Sequence, residues 1–313
     1  MALAALSCDG QRIVFVQLCN VLEPGVAVAL SSVSHGLWAS TRELRQQLKT
    51  DHGAATALVL KVGMRNCKEL REAKRVDWDD KGLTPADLGL LGKLGSLLPA
   101  LEHLTLIELS GAAGGVQRLA AGLGVGALPA VTSLTLSMHV GDAGASALAA
   151  ALGQGAMPRL ESVMLHQTSI GDAGLVALAP ALRRRPALEN INLWKNPFGD
   201  EGLAALVAPP PPPPAGAPAA AAGAPPAAAG APPTTGVLAK LKWLYLGDTQ
   251  VNDAGCAALV AALNRGALPA LGMLDILFVP ASAAARDAVR EALATSRAAH
   301  ASPPVDEMLV SGH

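Results

Sequence analysis

The chain has 313 residues, a net charge of −1, 51% hydrophobic residues and only 3% aromatic ones. That length allows one large domain or two ordinary ones, either with a substantial core. The balanced charge removes the electrostatic basis for binding nucleic acid or an anionic membrane surface. Four scattered cysteines (Cys8, Cys19, Cys67, Cys256) argue against a disulfide framework and a CxxC zinc site.

The opening "MALAALSCDG" carries no basic stretch of the kind that begins a secretory signal. The apolar run "IVFVQLCNVLEPGVAVAL" is interrupted by Asn20, Glu23, Pro24 and Gly25, so two short helices are expected there rather than a membrane span. The expectation is a soluble intracellular protein, cytoplasmic or nuclear. "TRELRQQLKTDH" and "NCKELREAKRVDW" read as further short helices, which makes residues 1–75 a small all-helical module.

Beyond it a phrase recurs: "LEHLTL" (101–106), "VTSLTL" (131–136), "LESVML" (160–165), "LENINL" (188–193), "LKWLYL" (241–246) and "LGMLDI" (271–276). A fixed period in the high twenties marks a solenoid. As strands, these phrases turn their first, fourth and sixth residues inward and their second, third and fifth outward. Each is followed by a turn and a helix. Leu175, Leu178 and Leu182 share one helical face, and Cys256 holds an equivalent packing place as a core thiol. The turn repeats as "GDAG", "GDAG", "GDEG" and "NDAG". There Asp172 is expected to cap its own helix, accepting from the N–H of Gly174 or Leu175. One aspartate per loop is too few for calcium, and no metal is expected. Pro129, Pro158, Pro186 and Pro269, each two residues before a strand, stop the preceding helices.

These features resemble the leucine-rich repeat family of the ribonuclease-inhibitor type, over residues 76–299. The resemblance implies an α/β horseshoe, parallel strands inside and helices outside, bent because strands stack closer than helices do. The family's asparagine, three residues after the last strand leucine, survives as Asn196. Thr168 and Thr249 replace it elsewhere, and Leu109 and Val279 cannot hydrogen-bond there. Residues 282–297 are expected to close the C-terminal end, with Arg286, Asp287, Arg290 and Glu291 on the wet face; residues 300–313 read as a flexible tail. A Pro/Ala-rich insert at 209–235 interrupts one outer helix. Its six consecutive prolines favour a polyproline II rod open to an SH3, WW or profilin-like domain, or else an expanded low-complexity loop.

The spacing of Ile13, Leu18, Leu22, Pro24, Leu30, Val33 and Trp38 resembles an F-box, although "CDGQR" stands where that family opens with Leu-Pro. The resemblance implies docking on the Skp-type adaptor of a cullin-based ubiquitin ligase. The other reading of the same helices is a cap over the first repeat, with Trp38 in its core.

No catalytic motif emerges. "GLLGKL" around Lys93 lacks the spacing of a phosphate loop, and His139 and His166 have no third ligand. Ran-type GTPase activators share this repeat, but the strand-to-helix loops hold no arginine. The expectation is a non-enzymatic protein-recognition module without cofactor. It would be an F-box-like substrate receptor, or alternatively a generic repeat scaffold or NLR-like sensor fragment. Its binding residues are expected on the concave strands: His166, Asn190, Asn192, Trp194, Lys195, Trp243, Tyr245 and Asp248. Gly247 is expected to leave room for Trp194.

Overall fold

A computed structural model describes residues 7–108, 114–209 and 238–300. The proline-rich insert beyond Pro209 with its proposed partner, Leu109, and the tail past His300 lie outside the described residues. The chain divides into two compact units, Met1–Leu160 and Glu161–His313. The division falls between two repeats, well past the composition change near residue 75.

In the first unit, α1 (Cys8–Leu18) is capped by Ser7, whose hydroxyl accepts from Gly10 N. Pro24 then opens α2 (Gly25–Ser31), and Ser34 caps α3 (His35–Ser40). The expected pair of helices across residues 13–30 is therefore present. "TRELRQQLKTDH" is the start of a single 20-residue helix, α4 (Arg42–Lys61). Phe15, Ala27 and Leu48 form the centre of this bundle, with Cys19, Val21 and Leu44 packed against it. His52 Nδ1 lies 2.7 Å from the carbonyl of Val21, and Arg71 pairs with Glu23. These contacts tie α5 (Cys67–Glu72) and α4 to the turn before α2.

The helical reading of "NCKELREAKRVDW" holds over α5 and is corrected past it. Residues 75–79 are a strand, β1 (Arg75–Asp79), with Val76 and Trp78 buried and their neighbours exposed. α6 (Pro85–Leu94) follows, opened by a reciprocal capping box between Thr84 and Asp87. β1 pairs in parallel with β2 (His103–Glu108), setting Val76 beside Leu104 and Trp78 beside Leu106. α7 (Gly115–Gly122) leads on to β3 (Ser133–Met138), parallel to β2, and α8 (Gly141–Gly153) closes the unit.

The second unit repeats the plan four times. Its elements are β4 (Ser162–Met164), α9 (Asp172–Arg183), β5 (Asn190–Asn192), α10 (Asp200–Val207), β6 (Trp243–Tyr245), α11 (Asp253–Asn264), β7 (Met273–Asp275) and α12 (Ala283–His300). The four strands pair in parallel and in chain order. Both units thus have the α/β leucine-rich repeat architecture. The inward positions behave as the pattern requires: Leu101, Leu104, Leu106, Leu188, Ile191, Leu193, Leu241, Leu244 and Leu246 are all buried. Burying each leucine contributes about 2 kcal/mol, and the shared period makes the contribution recur in every turn.

Two ladders of side chains link successive repeats. Asn196, buried, accepts at Oδ1 from Thr168 N, Thr168 Oγ1 and Ile170 N, at 3.0–3.1 Å. Its Nδ2 donates to the carbonyls of Leu165 and Leu193. Of the replacements, Thr249 donates within its own turn to the carbonyl of Leu246, and Thr168 donates to its own turn's Leu165 carbonyl as well as to Asn196. Val279 is simply buried apolar surface.

The aspartate ladder corrects the expectation for Asp172. Asp172 Oδ1 accepts from Gly199 N and Gly202 N, both at 2.8 Å, so it caps the helix of the next repeat rather than its own. Asp200 does the same for Asn252 N and Gly255 N, both at 2.9 Å, and Asp253 for Ser282 N. This accounts for the repeated turn. Its aspartate reaches forward, and its second glycine makes room for the aspartate reaching in from behind. A Cβ on Gly202 would meet Asp172 Oδ1 at 3.0 Å, and one on Gly255 would overlap Asp200 Oδ1.

Candidate protein-recognition surfaces

The strand face turned away from the helices in the second unit carries most of the residues expected to bind a partner. Register places Ser162, Asn190, Trp243 and Met273 in one row across β4–β7, and Met164, Asn192, Tyr245 and Asp275 in the next. Beyond the strands, Gln167 N donates to Trp194 O, Lys195 N to Gly247 O and Asp248 N to Leu277 O. That aligns His166, Trp194, Gly247 and Leu277 as a third row. A fourth follows, Gln167, Lys195, Asp248 and Phe278, all with φ between 55° and 59°. A left-handed residue at one fixed place in each repeat turns the chain from strand to loop and presents its side chain to solvent.

Trp243 is exposed, Tyr245 and Trp194 are half-buried, and Lys195 and Asp248 are exposed. Trp194 lies against Gly247, where a Cβ would come within 2.9 Å of its ring, so the glycine does leave it space. Lys195 Nζ stands 5.6 Å from the Trp194 ring centre and Lys242 Nζ 5.8 Å from that of Trp243. Lys242 is also held by Glu189 at 2.8 Å, which orients it beside the ring. Tyr245 Oη reaches Met273 Sδ at 4.0 Å. His166, half-buried, lies at the β4 side of the row.

Two asparagines separate in role. Asn192 Oδ1 accepts from Trp194 N at 3.0 Å, and Asp275 repeats this with Leu277 N at 2.9 Å. Asn192 therefore shapes the backbone under Trp194. Asn190, beside Trp243, keeps a buried Oδ1 without a partner, which costs about 1–3 kcal/mol.

Three residues missing from the sequence reading extend the patch. Met273 is exposed, Leu277 is 56% exposed and Phe278 is 78% exposed. The sign was present in "LGMLDILFVP": Leu277 and Phe278 take the places that the preceding repeat fills with the small Gly247 and the polar Asp248.

The N-terminal helices carry a second apolar surface. Ile13 (62% exposed), Leu18, Val33 (74%) and Trp38 face solvent, Pro24 and Leu30 are half-buried, and Leu22 is buried. Val16, Val26 and Val28 add to this surface. Trp38 is not core, contrary to the capping alternative. Arg45 stacks on it with its guanidinium carbon 3.2 Å from the ring centre, and Nη2 donates to the Trp38 carbonyl. Leu37 is the buried residue of that helix.

Cys256 is buried as expected. Burial first, then the Asp253 and Asp200 carboxylates, push its thiol above the ordinary cysteine value, so it stays protonated and unreactive. Among the described residues, no cluster of His, Cys, Asp and Glu could hold a metal ion, and no helix is long and apolar enough to cross a membrane.

No protein-family profile matches the chain, and no curated protein does. Among solved structures it is similar to an internalin from Listeria monocytogenes at 14% identity, covering 71% of this chain, with a TM-score of 0.27. The chain spans about 64% of that internalin's length. The repeat architecture rests on the register, the buried leucines and the two ladders.

Proposed function

We propose that the chain is a non-enzymatic protein-recognition module that holds its partner on the solvent-facing side of β5–β7. One observation carries this reading: the register sets Trp243 beside Met273, whose sulfur Tyr245 also reaches, with Trp194, Leu277 and Phe278 continuing the same apolar surface. In a chain with so few aromatics, that concentration supplies the large contact area on which interfaces depend. Lys195, Asp248 and Asp275 give the patch a polar rim. The test is titration of a purified partner, identified by affinity capture, against the intact chain and a Trp243→Ala, Met273→Ala variant. A loss of tenfold or more in affinity, with unfolding unchanged, supports the reading; equal affinity contradicts it.

A second, finer reading joins the N-terminal surface to this one: the helices dock on a Skp-type adaptor, and the bound partner is a target presented for ubiquitin transfer by other subunits. The exposure of Ile13, Leu18, Val33 and Trp38 favours it, since these are residues that the F-box spacing assigns to the adaptor. Leu22, buried, serves the fold. Binding of purified adaptor should be lost in an Ile13→Asp, Val33→Asp variant that retains its helix content. An intact, folded chain that does not bind the adaptor would rule this reading out.

A further inference from the structure

A groove of about 940 Å³ runs along α4 in the first unit. Pro24 and Val28 around α2, and Trp38 of α3, line it together with α4. Arg42, Arg45, Gln46 and Lys49 are three or four residues apart on α4, so they share one helical face, and all four belong to the lining. Arg42 with Arg45, and Arg45 with Lys49, set like charges at neighbouring positions, which weakens a helix on its own. Among the described residues of the lining only Glu43 is acidic, and its carboxylate lies 3.7 Å from Arg12. Lys61, Lys68, Lys74 and Lys242 each meet a carboxylate. Arg42 and Lys49, both exposed, meet none among the described residues.

Arg45 is held in place. Its guanidinium lies over the Trp38 ring, Nη2 donates to the Trp38 carbonyl at 2.6 Å, and Nε donates to Thr41 Oγ1 at 3.3 Å. Those contacts fix the planar fork and leave Nη1 for a partner. Beside the cations the lining is apolar: Trp38 and Val28 are exposed and Pro24 is half-buried. We propose that this groove docks an acidic, amphipathic segment of another protein, its carboxylates on Arg42, Arg45 and Lys49 and its aliphatic side chains against Pro24, Val28 and Trp38. Charge selects that partner. Three cations on one helical face, opposed by one carboxylate that already faces Arg12, concentrate positive potential at this groove in a chain whose net charge is −1. A phosphate backbone would match the cations and leave the apolar lining uncovered. The groove shares Pro24 and Trp38 with the adaptor reading but not Ile13, Leu18 or Val33, so the two are separable.

The test uses a fluorescein-labelled helical peptide with leucine on one face and glutamate on the other, titrated against the full-length chain by anisotropy. An Arg42→Glu, Lys49→Glu variant changes two exposed side chains, should unfold like the parent, and should bind this peptide roughly tenfold more weakly or worse. The same variant should bind a lysine-for-glutamate peptide more tightly than the parent does, a recovery that a merely structural role would not produce. An alanine-for-leucine peptide should bind the parent more weakly than the leucine one. An Ile13→Asp, Val33→Asp variant should bind the glutamate peptide like the parent, which separates the groove from adaptor docking. No binding by the parent, unchanged binding by the Arg42→Glu, Lys49→Glu variant, no recovery with the lysine peptide, or a single-stranded oligonucleotide bound as tightly as the glutamate peptide would each overturn the proposal.

Discussion

The two units spell the same phrase and end their strands differently. In the first unit β2 and β3 run six residues each; in the second all four strands stop after three. The difference lies just past the last inward residue. In the second unit a left-handed residue follows (Gln167, Lys195, Asp248 or Phe278) and the chain turns onto Thr168, Asn196 or Thr249, whose side chains bind the carbonyls that a longer strand would offer its neighbour. In the first unit Glu108 and Met138 keep the extended conformation. Glu108 is buried and accepts from Leu83 N at 2.7 Å, so one carboxylate links successive repeats where asparagine does so later. The open faces differ as well. The first unit presents His103, Thr105, Ser133 and Thr135, and the second presents rings and methionine. A repeat thus tolerates two ways of ending its strand, and the shorter leaves room for the two loop rows that bear Trp194 and Phe278.

Breaking the asparagine ladder should have the largest effect. Asn196→Ala leaves two buried amides and two carbonyls without their partner and should destabilise the second unit by at least about 3 kcal/mol. Thr249→Val, which loses a single bond, should cost about 1 kcal/mol. Chemical denaturation of both variants measures the contrast, and equal losses would mean that the ladder does not hold the repeats together.

The aspartate ladder comes next. Replacing a glycine inside a helix with alanine ordinarily gains up to about 1 kcal/mol. Gly255→Ala should instead lose about 2 kcal/mol, because the added Cβ would overlap Asp200 Oδ1 and Val251 Cγ1. In an Asp200→Ala background the loss should shrink without vanishing, since Val251 Cγ1 would still lie 2.7 Å from the new Cβ, and the coupling in this double-mutant cycle is the sign to seek.

How much of this was legible beforehand follows from where each signal sits. The inward leucines are a local periodicity, and every full phrase became a strand at its place. β1 was missed because Trp78 stands where the other repeats have leucine or isoleucine and the charged flanks resemble a helix; Val76 and Trp78, 28 residues before Leu104 and Leu106, were the available clue. Asp172 was misassigned for a different reason. In a repeat, the helix just ahead and the one a full period on present the same amides, and only coordinates tell them apart. The apolar row of Trp194, Trp243 and Tyr245 followed from alternation, whereas Leu277 and Phe278 lie past the strand, where alternation has no force.

A smaller effect concerns recognition. Trp243→Ala should weaken partner binding roughly thirtyfold, about 2 kcal/mol, with little change in unfolding. Thr135→Ala, on the polar face of the first unit, should leave affinity unchanged.

The smallest effect lies in the first unit. Burial pushes the Asp87 carboxyl up, but hydrogen bonds from Lys61 and Thr84 outweigh it and hold the group below its ordinary value. A carboxyl depressed in this way contributes its stability above the ordinary carboxylate range and loses it as pH falls through its folded value. Asp87→Asn should flatten that acid-side slope, and Thr84→Ala should cost about 1 kcal/mol. Denaturation at stepped pH resolves both.

The most direct measurement of the central claim places a photo-crosslinking residue at Tyr245 in one chain and at Thr135 in another, followed by irradiation in cells. Recognition through the second unit's open face should yield a discrete adduct at position 245 that is missing at 135. Adducts of equal yield at both positions, or none at 245, would contradict it.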